Sequence, residues 1–412
     1  MFRERCLTSQ STNLKEIINL GMHPLADSFI PESYASNPDR IYPLVCQLCP
    51  ESGQIQLKSI VDPLERYTHV DYSYTSSNSN FSRKHWINYA REVRLKAAVS
   101  ATDAVVEIGS NDGFLTSQFK QSGCVVLGID PSPAMAELAS ERDVDTVVAL
   151  FSSGLVDQVV DQLGRKPKLI VANNVFNHAD DPLAFAEGIR DLLDPDGTFV
   201  FELPYWYRTV KDLKFDQIYH EHVTYFTATY ADFLFRSVGM TVVDVEEVNY
   251  HGGSIRVYVR HQNDRTSNQS EALERFVNLE KSFGLFDEEL YAKFMEKINS
   301  ARYNFLGTIF DIKSGGGAIV CAGAAAKGNT FLNYYRLDNT LVDYVTDASP
   351  NKIGKYTPGT RIPIESDDIL SEYGRVSVIV TSWNLMPELG EKLKAFNDEI
   401  EFLNPYPESD SL

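Results

Sequence analysis

Between Phe215 and Phe226 the chain reads FDQIYHEHVTYF, which packs Asp216, Tyr219, His220, Glu221, His222 and Tyr225 into twelve positions. Only eight histidines occur in the whole chain, and two of them flank Glu221. Imidazole titrates near neutral pH, and an adjacent carboxylate or phenol tunes or orients it. The segment therefore reads as a proton-transfer site, with a polar surface loop as the plain alternative.

A second constellation lies upstream. The apolar run AVVEIG ends in the turn Gly109-Ser-Asn-Asp-Gly113, and the helical FLTSQFKQSG follows. Glycine at a strand-to-helix turn lets the backbone approach a ligand, and an acidic residue ending the next strand can hold ribose hydroxyls. Asp130 fills that place, about twenty residues on. Glu107 before the loop and Asp112 within it disfavour a pyrophosphate and suit a ligand without phosphate. S-adenosylmethionine, with its adenosine, amino acid and cationic sulfonium, is such a ligand. Gly109, Asn111, Asp112, Gly113, Asp130, and Asn173 and Asn174 at the end of KLIVANNV, form its expected cradle together with Glu107.

The five cysteines are Cys6, Cys46, Cys49, Cys124 and Cys321. Cys46-Gln-Leu-Cys49 reads as half a metal site or a redox pair, and Cys6 offers a third thiol. Ser9 stands where a second C-x-x-C would place a partner, so a zinc set of Cys6, Cys46 and Cys49 lacks its fourth ligand. His23, the only histidine nearby, reads as plain surface, and His220 as a surface residue or one that supports its motif from behind. A degenerate site would leave the thiols simply buried.

These groups need elements to position them. At 412 residues the chain exceeds one ordinary core, and 43% hydrophobic with 23% charged residues is a soluble globular composition. No apolar run is long enough to span a membrane, and MFRERCLTSQ lacks the core of a signal peptide, so cytoplasmic residence is expected. A formal charge of −19 without a basic stripe argues against a nucleic-acid partner.

Three blocks follow. Residues 1–85 are turn-rich and read as a small loop-rich module, with a helix running on from His85. Residues 86–250 alternate apolar strands with helices, the pattern of a parallel, Rossmann-like sheet. Residues 251–412 hold amphipathic helices and a second such pattern, in which Gly323-Ala-Ala-Ala-Lys327-Gly328-Asn329 is another strand-to-helix turn. A helix N-terminus beside a lysine suits a diphosphate, and the alternative is a solvated lysine. The fold class is thus α/β.

In this order VVEIGSNDGFL, YSYTSSNS, FELPYW, FDQIYHEH, HGGSIRVYV and AGAAAKGNTFLNYY resemble the S-adenosylmethionine-dependent nucleotide-sugar C-methyltransferases of bacterial deoxysugar pathways. The resemblance covers nearly the whole chain, including NLGMHPLADSF. It implies a zinc module with four cysteines, a methyltransferase domain and a Rossmann-like sugar-nucleotide domain. The chain departs at the zinc module, where Cys6 and Ser9 match the first family pair, and Cys46 and Cys49, followed by PES, the second. The implied reaction methylates a carbon beside the ketone of a 4-keto nucleotide sugar, which needs a base and an enolate stabiliser. On that resemblance His222 is the base or the group poised over the enolate, Glu221 orients it or contacts the sugar, and Tyr219 donates to the oxyanion. Tyr74 is a second phenol. His178 either lies near the sulfonium or caps the helix that starts near Asp180. His251, in a tight turn, together with Lys327 and Asn329, is expected to line the sugar-nucleotide site. The alternatives are a methyltransferase for another small metabolite and a non-methylating binding homologue.

Overall fold

The computed structural model describes residues 2–62, 65–66, 75–77, 79–262, 270–383 and 386–406. At its centre is a seven-stranded sheet. From one edge its strands are Met240–Val248, Ser254–His261, Thr198–Pro204, Leu169–Asn173, Ala104–Ile108, Val125–Asp130 and Thr146–Val148. Ser254–His261 runs antiparallel to both its neighbours, and the remaining pairs are parallel. Every residue of Ala104–Ile108 is buried, as a strand covered by helices on both faces requires. The strand order reverses between Ala104–Ile108 and Leu169–Asn173, so a ligand crevice opens at their carboxyl ends.

Two strands of this sheet lay outside the sequence reading of the middle block. Thr146–Val148 is only three residues long, and Ser254–His261 lies past residue 250. The second pairs with Thr198–Pro204 and Met240–Val248, so the sheet reaches beyond the expected boundary.

The N-terminal block holds more strand than its turn-rich composition suggests. Lys15–His23, Tyr42–Cys49 and Gln54–Leu57 form an antiparallel sheet. Thr224–Tyr225 joins it as a fourth strand, beside Gln54–Leu57. The histidine-bearing segment is thereby sewn onto the N-terminal module by backbone hydrogen bonds. A second link pairs Ile30–Pro31 with Lys355–Tyr356 of the C-terminal block. The helix Asn80–Lys96 begins before His85, because the Ser79 hydroxyl caps it by accepting from Ser82 N. Trp86, Tyr89, Ala90 and Val93 give it one buried stripe at helical spacing.

The C-terminal block is a five-stranded parallel sheet in the order Ile364–Glu365, Tyr344–Thr346, Ala318–Ala322, Val376–Val380 and Ile400–Leu403. The helix Ala326–Tyr335 follows its central strand. One continuous apolar core includes Leu48, Phe201, Phe226 and Phe331, so all three blocks share it. Among the described residues, no helix is long and apolar enough to cross a membrane.

Candidate active site

The glycine turn sits in the crevice of the central sheet. Gly109 and Gly113 both have φ of +70°, and a Cβ on Gly109 would meet Val175 at 2.1 Å. Only glycine fits there. Asp130 fastens the turn from the next strand, its Oδ2 accepting from Asn111 N at 2.9 Å and its Oδ1 from Ser132 N at 2.9 Å. Burial pushes the Asp130 carboxyl upward, and it pushes that of Glu107, which accepts from the Thr116 hydroxyl, up to about 8.

Asp112 is already engaged. It accepts from the Ser76 hydroxyl at 2.6 Å, from the Ser77 hydroxyl, and from Arg142 at 3.2 Å. Ser76 N also donates to Asn111 Oδ1 at 2.9 Å, so residues 75–77 lie over the turn. Tyr74 falls outside the described residues. Asn174 takes φ of +53° and donates its N–H to Glu202 O at 2.8 Å. Both amide atoms of Asn173 are buried at the crevice, with the Tyr89 hydroxyl beside them. A glycine turn, the Asp130 carboxylate and this buried amide fit S-adenosylmethionine. Gly109, Gly113, Asp130 and Asn173 are the residues that would hold it, and Asp112 clamps the loop.

The second half of the site is the turn carrying His222. Its N–H donates to Tyr219 O at 3.0 Å, and its Nδ1 lies 3.1 Å from Gln217 O. A carbonyl oxygen only accepts, so Nδ1 carries the proton and Nε2 keeps its lone pair. The ring stands 4.0 Å from that of Tyr219 and 5.1 Å from that of His178, centroid to centroid. Burial, reinforced by His178 and Lys327, holds the His222 imidazole well below the usual histidine range. His178 is pushed down to about 3 by burial and by Arg66. It does not cap the following helix, because the Asp181 side chain does so by accepting from Ala184 N at 2.9 Å.

Glu221 is buried, and among the described residues neither carboxyl oxygen has a side-chain hydrogen-bond partner; the backbone of Glu221 and Asp27 lies closest to it. Burial first, and Asp27 second, push it up to about 8, which favours the protonated acid, a form able to donate. His251 has φ of +50°, and its carbonyl accepts from Gln217 Nε2 at 3.0 Å. Its Nδ1 is buried and has no hydrogen-bond partner among the described residues.

On the helix Ala326–Tyr335, Thr330 donates to Ile218 O at 3.2 Å, and Lys327 lies one turn earlier on the same face. The Lys327 ammonium acts on His222, His251, Asp216 and Asp27, and burial lowers its own pKa. It is not a solvated turn lysine. Asn329 serves as a brace, its Nδ2 donating to Ala26 O at 2.6 Å.

Several partners escaped the sequence reading. Asp27, raised by burial, and Arg66, which bears on His178 and Glu221, come from the N-terminal module. Asp216 Oδ2 accepts from Trp383 Nε1 at 2.6 Å and from the Tyr406 hydroxyl at 2.8 Å. Lone charged residues in irregular segments carry no pattern, although Asp216 at least shares the histidine motif. His23 is not a surface residue, and of the two positions open to His220 the structure gives the buried one. His23 Nε2 lies 3.0 Å from Leu20 O, His220 packs edge-on to Tyr42, and burial pushes both down to about 4.

The cysteines need a correction. In an extended strand side chains alternate, so residues three apart face opposite sides. Cys46 accordingly points into the apolar core, while Cys49 points toward Cys6. The groups that converge are Cys6, Ser9, Cys49 and Ser52. Cys6 Sγ lies 3.3 Å from Ser52 Oγ, and Ser9 Oγ lies 3.5 Å from Cys49 Sγ. Structural zinc takes thiolates and imidazoles, so two thiols with two hydroxyls do not fit it. Among the described residues, no three His, Cys, Asp or Glu side chains are grouped to hold a metal.

Three sequence families match the chain in order. A "Putative zinc binding domain" matches residues 6–67, a "Methyltransferase domain" residues 83–245, and a "C-methyltransferase C-terminal domain" residues 249–407. C-methyltransferase NovU of Streptomyces niveus is 27% identical over 406 residues, 98% of this chain and 96% of that protein. A ubiquinone biosynthesis O-methyltransferase of Haemophilus ducreyi is 23% identical over 144 residues, 32% of this chain and 60% of that protein. Among solved structures, 1,6-didemethyltoxoflavin-N1-methyltransferase of Burkholderia thailandensis has a TM-score of 0.37 at 17% identity, over 51% of this chain and 96% of that one.

Proposed function

We propose that the chain, matched in order by these three domain families and along its length by a C-methyltransferase, methylates the carbon beside the ketone of a nucleotide-linked 4-keto sugar, with S-adenosylmethionine as donor. The observation that carries this reading is the buried, neutral His222, whose Nδ1 is tied to Gln217 O and whose Nε2 is left as an acceptor.

A carbon beside a ketone becomes nucleophilic only when a proton leaves it. His222 Nε2 takes that proton. An empty pocket penalises the resulting imidazolium, but the diphosphate and the developing enolate bring negative charge that favours it. Tyr219 and the protonated Glu221 are the neutral donors for the enolate oxygen, and Lys327 is the nearby cation. S-adenosylmethionine supplies an electrophilic methyl group. His178 and His251 stay neutral under burial and shape the pocket without adding positive charge that would oppose proton uptake. Sugar contacts fall to the C-terminal domain, through Lys327 on the helix that follows its central strand.

The test is incubation with S-adenosylmethionine and a thymidine- or guanosine-diphosphate 4-keto sugar, read by mass spectrometry. The reading expects a sugar nucleotide heavier by one CH2, with the new methyl on carbon by NMR. S-adenosylhomocysteine binding without sugar methylation, alongside turnover of a different small metabolite, would contradict it.

A further inference from the structure

The two turns that meet in the N-terminal module share one pattern, Cys6-Leu-Thr-Ser9 and Cys49-Pro-Glu-Ser52. Each thiol faces the hydroxyl of the other turn: Cys6 with Ser52 at 3.3 Å, and Cys49 with Ser9 at 3.5 Å. Ser9 N also donates to Cys6 Sγ at 3.3 Å, which closes the first turn. Cys6 Sγ donates to Gln54 Oε1 at 3.0 Å, and that oxygen also accepts from Thr8 N at 3.2 Å. An amide oxygen only accepts, so this bond keeps Cys6 a thiol, whereas a metal ligand must be a thiolate. Gln54 Nε2 then donates to Thr224 Oγ1 at 3.2 Å, two residues after His222.

We propose that this module holds no structural zinc: crossed thiol–hydroxyl pairs and Gln54 tie its two turns together, and Ser9 and Ser52 occupy the positions of two missing thiolates. Because Cys6 and Ser52, and Cys49 and Ser9, meet at these four positions, cysteines at Ser9 and Ser52 would bring four thiols together for a metal. This inference does not depend on the acceptor of the methyl group.

The test starts with the metal content of the full-length protein purified from zinc-supplemented culture, and its Tm with and without EDTA. The wild type is expected to carry no stoichiometric zinc and to melt at the same temperature in both. Ser9→Cys/Ser52→Cys is expected to hold one zinc per chain, to show thiolate-to-metal absorption when loaded with cobalt, and to lose Tm on adding EDTA. Gln54→Leu is expected to lower Tm by a few degrees with zinc content unchanged. One tightly held zinc in the wild type overturns the proposal. So does a folded double-cysteine variant that takes no metal, or a Gln54→Leu variant as stable as the wild type. Should the double variant fail to fold, the wild-type metal content and the Gln54→Leu melt still decide.

Discussion

The Trp383 indole donates to Asp216 Oδ2 at 2.6 Å, across the junction between the C-terminal domain and the segment that carries His222. Tyr406 donates to the same oxygen at 2.8 Å, and Lys214 lies 4.3 Å from the centroid of each of the two rings. Trp383 also rests on Gly252, where φ is +84° and a Cβ would meet the indole at 2.2 Å. The pocket is therefore shaped by how firmly the C-terminal domain is seated.

Substituting Trp383→Phe or Gly252→Ala should disturb that seating and leave the glycine turn alone. The first removes a hydrogen bond to a buried carboxyl, and the second forces the domain outward. KM for the sugar nucleotide should rise about tenfold, an effect near 1.4 kcal/mol, with affinity for S-adenosylhomocysteine unchanged. Steady-state kinetics and calorimetry on the same preparations separate the two effects.

Gly109→Ala should act on the other half of the site. The new methyl would meet Val175 at 2.1 Å on a residue with positive φ, so the turn must move. Overpacking of this kind costs about 1–3 kcal/mol of stability. Urea denaturation should record that loss, and calorimetry should find S-adenosylhomocysteine binding abolished or severely weakened.

Glu221 offers a test by pH. Its folded pKa, raised to about 8, exceeds its ordinary value of 4.5, so the folded state holds a proton that the unfolded chain has released between those values. Its contribution is fully present below the ordinary value and is lost as pH rises to about 8, by about 1.4 kcal/mol per pH unit. Glu221→Gln cannot titrate. Its stability relative to the wild type should therefore improve from pH 5 to pH 8 and level off above, as read by denaturation at each pH. A difference that stays flat with pH would mean that Glu221 ionises normally.

The central sheet was legible because its inner strands are continuous apolar runs bounded by turns, as AVVEIG and KLIVANNV are. Thr146–Val148 was too short to stand out, and the membership of Ser254–His261 depends on antiparallel pairing that no local pattern encodes. In the N-terminal sheet, register shifts between Glu16 and Ile18 and between Asn19 and Met22 blur the alternation that marks a strand. His222, Glu221, His178, His251 and Lys327 were visible as residue types, but their convergence belongs to packing. Cys46 misled because a C-x-x-C spacing suggests a turn, and here it lies along a strand.

The central claim is that His222 removes a proton from carbon. The direct measurement is exchange of the 4-keto sugar nucleotide in deuterium oxide with enzyme and S-adenosylhomocysteine, followed by NMR at the carbon beside the ketone. The account predicts deuterium uptake there with the wild type, and uptake slowed about 10²–10⁴-fold in His222→Asn with S-adenosylhomocysteine binding intact. Equal exchange by the two proteins would take His222 out of the mechanism.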